Sequence, residues 1–162
     1  MPNRGGKRGV HDPRVAASWV GELRRPPGFQ QLSDCELARI AKFLSPVSFS
    51  GGEVVVRAGT RMRSAFFIQH GEVGLFCKGE ADGIPLDKLG PGHLLGAVAL
   101  MGVSPISPAT FVALSDVVAL RLSRSGFVRL CERLPDIGYR VMTVLARRIL
   151  DRRLGFYHCL RR

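Results

Sequence analysis

Between positions 47 and 122 the chain is built from short apolar runs, most of them followed by glycine. The runs lie at 54–56, 65–68, 73–76, 86–89, 110–114 and 117–122 and are rich in β-branched and aromatic residues. Glycine marks the turns at Gly51-Gly52, Gly59, Gly71, Gly79 to Gly83 and Gly90 to Gly96. Branched side chains suit a pleated surface, and glycine admits the tight reversals between strands. Short strands with turn signals at this spacing predict a small antiparallel barrel or sandwich.

Helical patterns flank that region on both sides. Asp12 as N-cap and Pro13 in the first turn open one helix, with Val15, Trp19, Val20 and Leu23 at helical spacing before Pro26-Pro27-Gly28 stops it. Ser33-Asp-Cys-Glu36 reads as a capping box for a second helix with Leu37, Ile40, Ala41 and Leu44 on its apolar face. Ser45-Pro46 is expected to end it. After Ser123 the helical period returns. Ser123 or Ser125 caps a helix through Phe127, Val128, Leu130 and Cys131, and Pro135 opens a longer one. The apolar positions of that last helix are Ile137, Val141, Val144, Leu145 and Ile149. The predicted order is helix, helix, about eight strands, helix, long helix.

Composition removes several function classes. A chain of 162 residues suits one domain with a proper core. No apolar run approaches the length of a membrane span, and the basic, Gly-rich start lacks the apolar stretch of a secretory signal, so the cytoplasm is the expected location. The cysteines (Cys35, Cys77, Cys131, Cys159) and histidines (His11, His70, His93, His158) are scattered, which argues against a zinc site; no metal or other cofactor is expected. No Ser/His/Asp or Cys/His arrangement can be placed, so the chain is not expected to be an enzyme. The net charge is +11, and positions 121–162 carry eleven arginines against Glu132, Asp136 and Asp151. Such an excess suits nucleic acid, an anionic membrane or an acidic protein partner; a solvated helix face in an arginine-rich chain is the alternative.

One segment breaks the charge pattern. Positions 97–120 hold a single ionisable side chain, Asp116, directly after Gly90-Pro-Gly-His-Leu-Leu-Gly96. A glycine turn of this kind lets backbone N–H groups close on a phosphate, and an anion site also wants an arginine fork. None is present.

The order of elements and glycines resembles the cyclic-nucleotide-binding domain family, which includes catabolite-activator-type proteins, regulatory subunits of the cyclic-AMP-dependent kinase and gated channels. Four stretches carry the resemblance: Phe49-Ser-Gly-Gly-Glu53 to Gly59, Phe66-Phe-Ile-Gln-His-Gly71-Glu-Val73, Leu89-Gly-Pro-Gly92-His-Leu-Leu-Gly96, and Ala109-Thr110-Phe111. It implies an α+β fold, an antiparallel β-roll of about eight strands, jelly-roll-like, flanked by helices. The divisions would be a basic tail at 1–12, N-terminal helices at 13–45, the roll at 46–123 with a phosphate-binding cassette at 96–110, and C-terminal helices at 124–162.

In that family the cassette begins Gly-Glu and ends Arg-(Ser/Ala/Thr)-Ala. The Glu accepts from the ribose hydroxyl, the Arg pairs with the cyclic phosphate, and the next backbone N–H points at it. By register Gly96 matches the glycine, Ala97 replaces the Glu, Ser107 replaces the Arg, and Pro108, which has no N–H, follows. No Arg or Lys lies between Lys88 and Arg121, so no shift of alignment restores the cation. The ligand-facing set Gly96, Ala97, Val98, Ser107, Pro108, Ala109 and Thr110 is therefore expected to be degenerate and not to bind cyclic AMP or cyclic GMP. Arg57, Arg61 or Arg63 reaching in from neighbouring strands is the rescue route, giving an atypical cyclic-nucleotide or small-ligand sensor; a basic nucleic-acid-binding protein is a further reading. Val98, Leu100, Met101, Val103 and Ile106 make the segment apolar enough to fill the pocket with the protein's own side chains. The resemblance also implies a partner protein on a separate chain; Ile137, Val141, Val144, Leu145 and Ile149 would form a homodimer seam, with packing on the roll as the alternative. The end Phe156-Tyr-His-Cys-Leu160 is amphipathic and suits a partner or membrane surface.

Overall fold

The computed structural model describes residues 18–77, 83–102 and 105–151. Eight strands form two four-stranded antiparallel sheets: β1 (Leu44–Phe49), β2 (Val54–Val56), β3 (Ser64–His70), β4 (Val73–Phe76), β5 (Asp87–Leu89), β6 (Leu94–Leu95), β7 (Thr110–Ala113) and β8 (Val117–Ser123). The first sheet has the order β1-β8-β3-β6 and the second β2-β7-β4-β5. Helices α1 (Val20–Leu23) and α2 (Asp34–Ala41) precede the strands, a five-residue α3 (Ala97–Met101) interrupts them, and α4 (Arg124–Arg133) and α5 (Pro135–Asp151) follow. This is the expected β-roll with flanking helices. The basic tail, the Asp12-Pro13 helix start, Val103 and the amphipathic end at 156–160 lie outside the described residues.

Strand periodicity creates two apolar layers. Along β3 and β8, Phe66, Ile68, Val117 and Ala119 turn inward to meet Val73, Leu75, Leu89 and Phe111 of the other sheet. Ala65, Phe67, Leu120 and Leu122 turn outward to meet the helices. The first sheet is thus buried on both faces. Phe29, at 0% exposure, meets Phe67 edge-on with ring centroids 5.4 Å apart. That contact ties the N-terminal segment to the roll.

One boundary differs from the sequence expectation, and one open choice of cap is resolved. Leu44 and Pro46 belong to β1, not to the end of α2. β1 is an edge strand, where a proline's missing N–H costs no ladder bond. Ser123, not Ser125, caps α4, accepting from the Gly126 N–H at 3.0 Å. Gly71 sits at φ +83° with the Asp116 carbonyl pressed where a Cβ would stand, so no other residue fits that turn.

The expected dimer seam requires a correction. Ile137, Val141, Val144 and Leu145 are buried in the chain's own core among Phe29, Leu37, Phe67 and Leu100, with Ile149 packed at its edge. Periodicity correctly marked an apolar face, but α2, α3 and the roll cover it. The outward side of α5 carries Tyr139 (70% exposed), Met142 and Leu150 instead.

Arg140 clamps α5 onto α2. Its guanidinium pairs with Glu36 and donates to the Gln31 carbonyl at 2.6 Å. Glu36 also completes the predicted capping box, accepting from the Ser33 N–H at 2.8 Å while its own N–H donates to Ser33 Oγ. The Ser33 N–H, followed by the Ser33 hydroxyl and Arg140, holds the Glu36 carboxyl below its ordinary value of 4.5 against an opposing effect of burial. A depressed carboxyl stabilises the fold fully above its unfolded value, and that stability is lost as pH falls through the folded value. Glu36→Ala is expected to cost about 1 kcal/mol at neutral pH, with the difference from the parent shrinking below about pH 4.5. Urea unfolding at pH 7 and pH 3 checks it.

Candidate functional site

The cassette begins where β6 ends. Gly96 adopts φ +86°, and a Cβ there would lie 2.6 Å from the Ser64 carbonyl oxygen. Only glycine makes this turn against β3. Met62 lies over the same spot, its Cε 2.7 Å from that Cβ position. Ala97 follows at the first position of α3 and is buried with Leu100 in the helical layer beside Val141 and Val144. Val98 is half-buried. The helix ends at Gly102, φ +73°, where the Arg124 guanidinium from α4 covers the turn. A cation at a helix C-terminus is favourably placed, but it serves that end of α3 and not position 107.

The exit of the cassette is tied to the turn after β2. Met62 N–H donates to the Pro105 carbonyl at 2.6 Å, Ser107 N–H to the Thr60 carbonyl at 2.9 Å, and Gly59 N–H to the Ser107 carbonyl at 2.8 Å. Ser107 Oγ donates to the Ala109 carbonyl at 2.7 Å. Both donors of Ser107 are therefore engaged internally, and the residue is 2% exposed. Pro108 is exposed and brings no donor; Ala109 is buried. Thr110 is buried too, and its Oγ1 accepts the Ala58 N–H at 3.1 Å. The cassette holds its shape through its own hydrogen bonds, with neither a cation nor a free donor at 107–108.

Arg57, Arg61 and Arg63 stand elsewhere. They line a cleft of about 350 Å³ with Val54, Val55, Val56, Thr60, Met62, Ser64 and Phe66. Among the described residues, none from 96 to 102 or 105 to 110 lines it. Their backbone turn is bonded to the cassette exit, with Arg61 bridged to Ile106, while their side chains are exposed on this cleft. Of the apolar segment expected to fill the pocket, Leu100 packs into the helical core and Ile106 is 45% exposed. The side chain over Gly96 is Met62, which sequence reasoning missed, since nothing in spacing links positions 62 and 96.

Among the described residues no three His, Cys, Asp or Glu side chains gather as for a metal ion. Cys131 packs beside Gly138 on the α4–α5 contact; burial first, then Glu132, raises its thiol and leaves it a poor nucleophile. No described helix is long and apolar enough to cross a membrane.

Comparison with known proteins agrees with this geometry. The family model for the cyclic nucleotide-binding domain matches residues 46–134. A cAMP-dependent protein kinase regulatory subunit of Aspergillus fumigatus is 30% identical over 118 residues, 73% of this chain and 28% of the relative. The chain thus spans little more than a quarter of that relative. A cyclic nucleotide-binding domain from Methylobacillus flagellatus superimposes with a TM-score of 0.75 at 19% identity, covering 91% of this chain and 84% of the other. The regulatory subunit of a cAMP-independent protein kinase A from Trypanosoma brucei, a triple mutant bound to cAMP in its A site, gives 0.72 at 20% identity, covering 92% and 52%. By the match of the family model over more than half its length, the chain belongs to the cyclic nucleotide-binding domain family.

Proposed function

We propose that this chain is a non-catalytic regulatory module that does not bind cyclic AMP or cyclic GMP and acts in the cytoplasm through contact with another protein. The observation that carries this reading is Ser107: it stands where the family has its phosphate-pairing arginine, and both its donors are engaged by Thr60 and Ala109. Pro108 removes the neighbouring N–H, and Ala97 cannot accept from a ribose hydroxyl. Hydrogen bonds to charged groups contribute ~1.5–3 kcal/mol each, so losing two or three weakens binding by several powers of ten. A regulatory subunit from Trypanosoma brucei described as cAMP-independent has the same fold, which makes a role without cyclic AMP reasonable for this one.

Calorimetric titration of the full chain with cyclic AMP and cyclic GMP is expected to give no heat of binding up to high micromolar ligand. A dissociation constant in the low micromolar range overturns the proposal.

A further inference from the structure

The cleft beside β2 has a construction unlike the cassette's. Val54, Val55 and Val56 all line it. A regular strand alternates its side chains between two faces; three consecutive residues bordering one cleft fit a strand edge, here with a register shift between Val54 and Val56. β2 is such an edge, paired with β7 alone. Edge strands expose unpaired N–H and C=O groups and accept a further strand.

The rim is cationic and unneutralised. Arg57, Arg61 and Arg63 are exposed, and among the described residues none of their side chains has an ion pair or hydrogen bond. Arg121 stands opposite Phe66 across β3 and β8, so it shares that residue's sheet face beside the cleft. Glu53, just before β2, spends its carboxylate on the Ser50 N–H at 3.0 Å. Three exposed guanidinium groups on one cleft, none of them in an ion pair among the described residues, favour an anionic occupant. Small-molecule sites enclose most of their ligand, whereas this cleft is open, lined by exposed arginines and by valines, Met62 and Phe66 that are less exposed. An extended chain that alternates acidic and apolar side chains matches that layout.

We propose that this cleft docks an extended acidic segment of a partner protein, added along the free edge of β2 with its carboxylates on Arg57, Arg61 and Arg63. The inference rests on the reading that the module works through protein contact, and it assigns that contact to the mouth of the roll.

The test is a fluorescence-anisotropy titration of the full chain with a short fluorescein-labelled peptide of alternating glutamate and valine. Salt-sensitive binding is expected, weakened ~10-fold or more by Arg57→Glu and by Arg61→Glu, the size of one lost charge-assisted bond. Both residues are exposed, and circular dichroism confirms that each variant keeps its fold. N-methylating alternate peptide residues, in one of the two registers, removes the donors that face β2 and is expected to weaken binding similarly. A lysine–valine peptide is expected not to bind. The proposal is overturned by absence of binding at low salt, or by equal binding to the charge-reversed variants. It is also overturned by indifference to N-methylation in both registers, or by equally effective displacement with inorganic pyrophosphate or a single-stranded oligonucleotide. None of these readouts involves cyclic AMP, so a failed peptide titration leaves the cassette reading intact, and a cyclic-AMP-binding parent leaves the peptide result intact.

Discussion

Replacing Ala97 with Glu, Ser107 with Arg and Pro108 with Ala together is expected to create cyclic AMP binding in a chain proposed above to lack it. The backbone for it exists. Gly96 already makes the left-handed turn into α3, and Pro105 to Ser107 already pair with the turn at Gly59 to Met62. The triple change returns a ribose acceptor, a guanidinium for the phosphate and a backbone N–H. At ~1.5–3 kcal/mol for each hydrogen bond to a charged group, the three together tighten binding by roughly 10³-fold or more. Two costs oppose it. A carboxylate at position 97 enters a site where Ala97 is buried against the helical layer, which lowers the stability of the empty variant. Met62 must leave Gly96, a small cost for an unbranched, flexible side chain. The variant is therefore expected to melt below the parent without ligand and to rise with added cyclic AMP, while the parent does not respond. A folded variant that still ignores cyclic AMP would show that the packed interior of the roll, not the three lost contacts, excludes the nucleotide.

Leu145→Ala is expected to lower stability by ~2–5 kcal/mol, the range for truncating a fully buried leucine. Leu145 is 0% exposed and sits where α5 meets α2, α3 and the roll. The measurement is a urea denaturation series at several protein concentrations. For a residue buried within one chain the midpoint is the same at every concentration, whereas a residue in a dimer seam gives a midpoint that climbs with concentration. A concentration-dependent midpoint in the parent, abolished by Leu145→Ala, would restore the seam reading.

Much of the fold could be read from residues alone. The capping box at Ser33 and Glu36, the glycine turns and most strand positions are local patterns, and each is carried by residues a few positions apart. The misreadings have a common origin. Leu44 continues the helical pattern of α2 and Ser45-Pro46 reads as its stop, yet Leu44 and Pro46 pair with Leu122 and Leu120 in a sheet. A tertiary ladder overrode the local signal. The seam residues on α5 show an apolar face, but periodicity says nothing about which surface covers it.

For the candidate site the division is equally physical. The sequence by itself determined that the cassette has no phosphate-pairing cation, because no Arg or Lys occurs between Lys88 and Arg121. It likewise determined that position 108 offers no N–H, since proline carries none. Only the tertiary structure decided where the neighbouring groups went: Met62 over Gly96, the donors of Ser107 turned to Thr60 and Ala109, Arg140 drawn to Glu36, and Arg57, Arg61 and Arg63 set along an open strand edge. Composition and covalent structure dictate which groups a chain possesses. Contacts between residues tens of positions apart arise only when sheets and helices pack, so the partner of each group is a property of the fold.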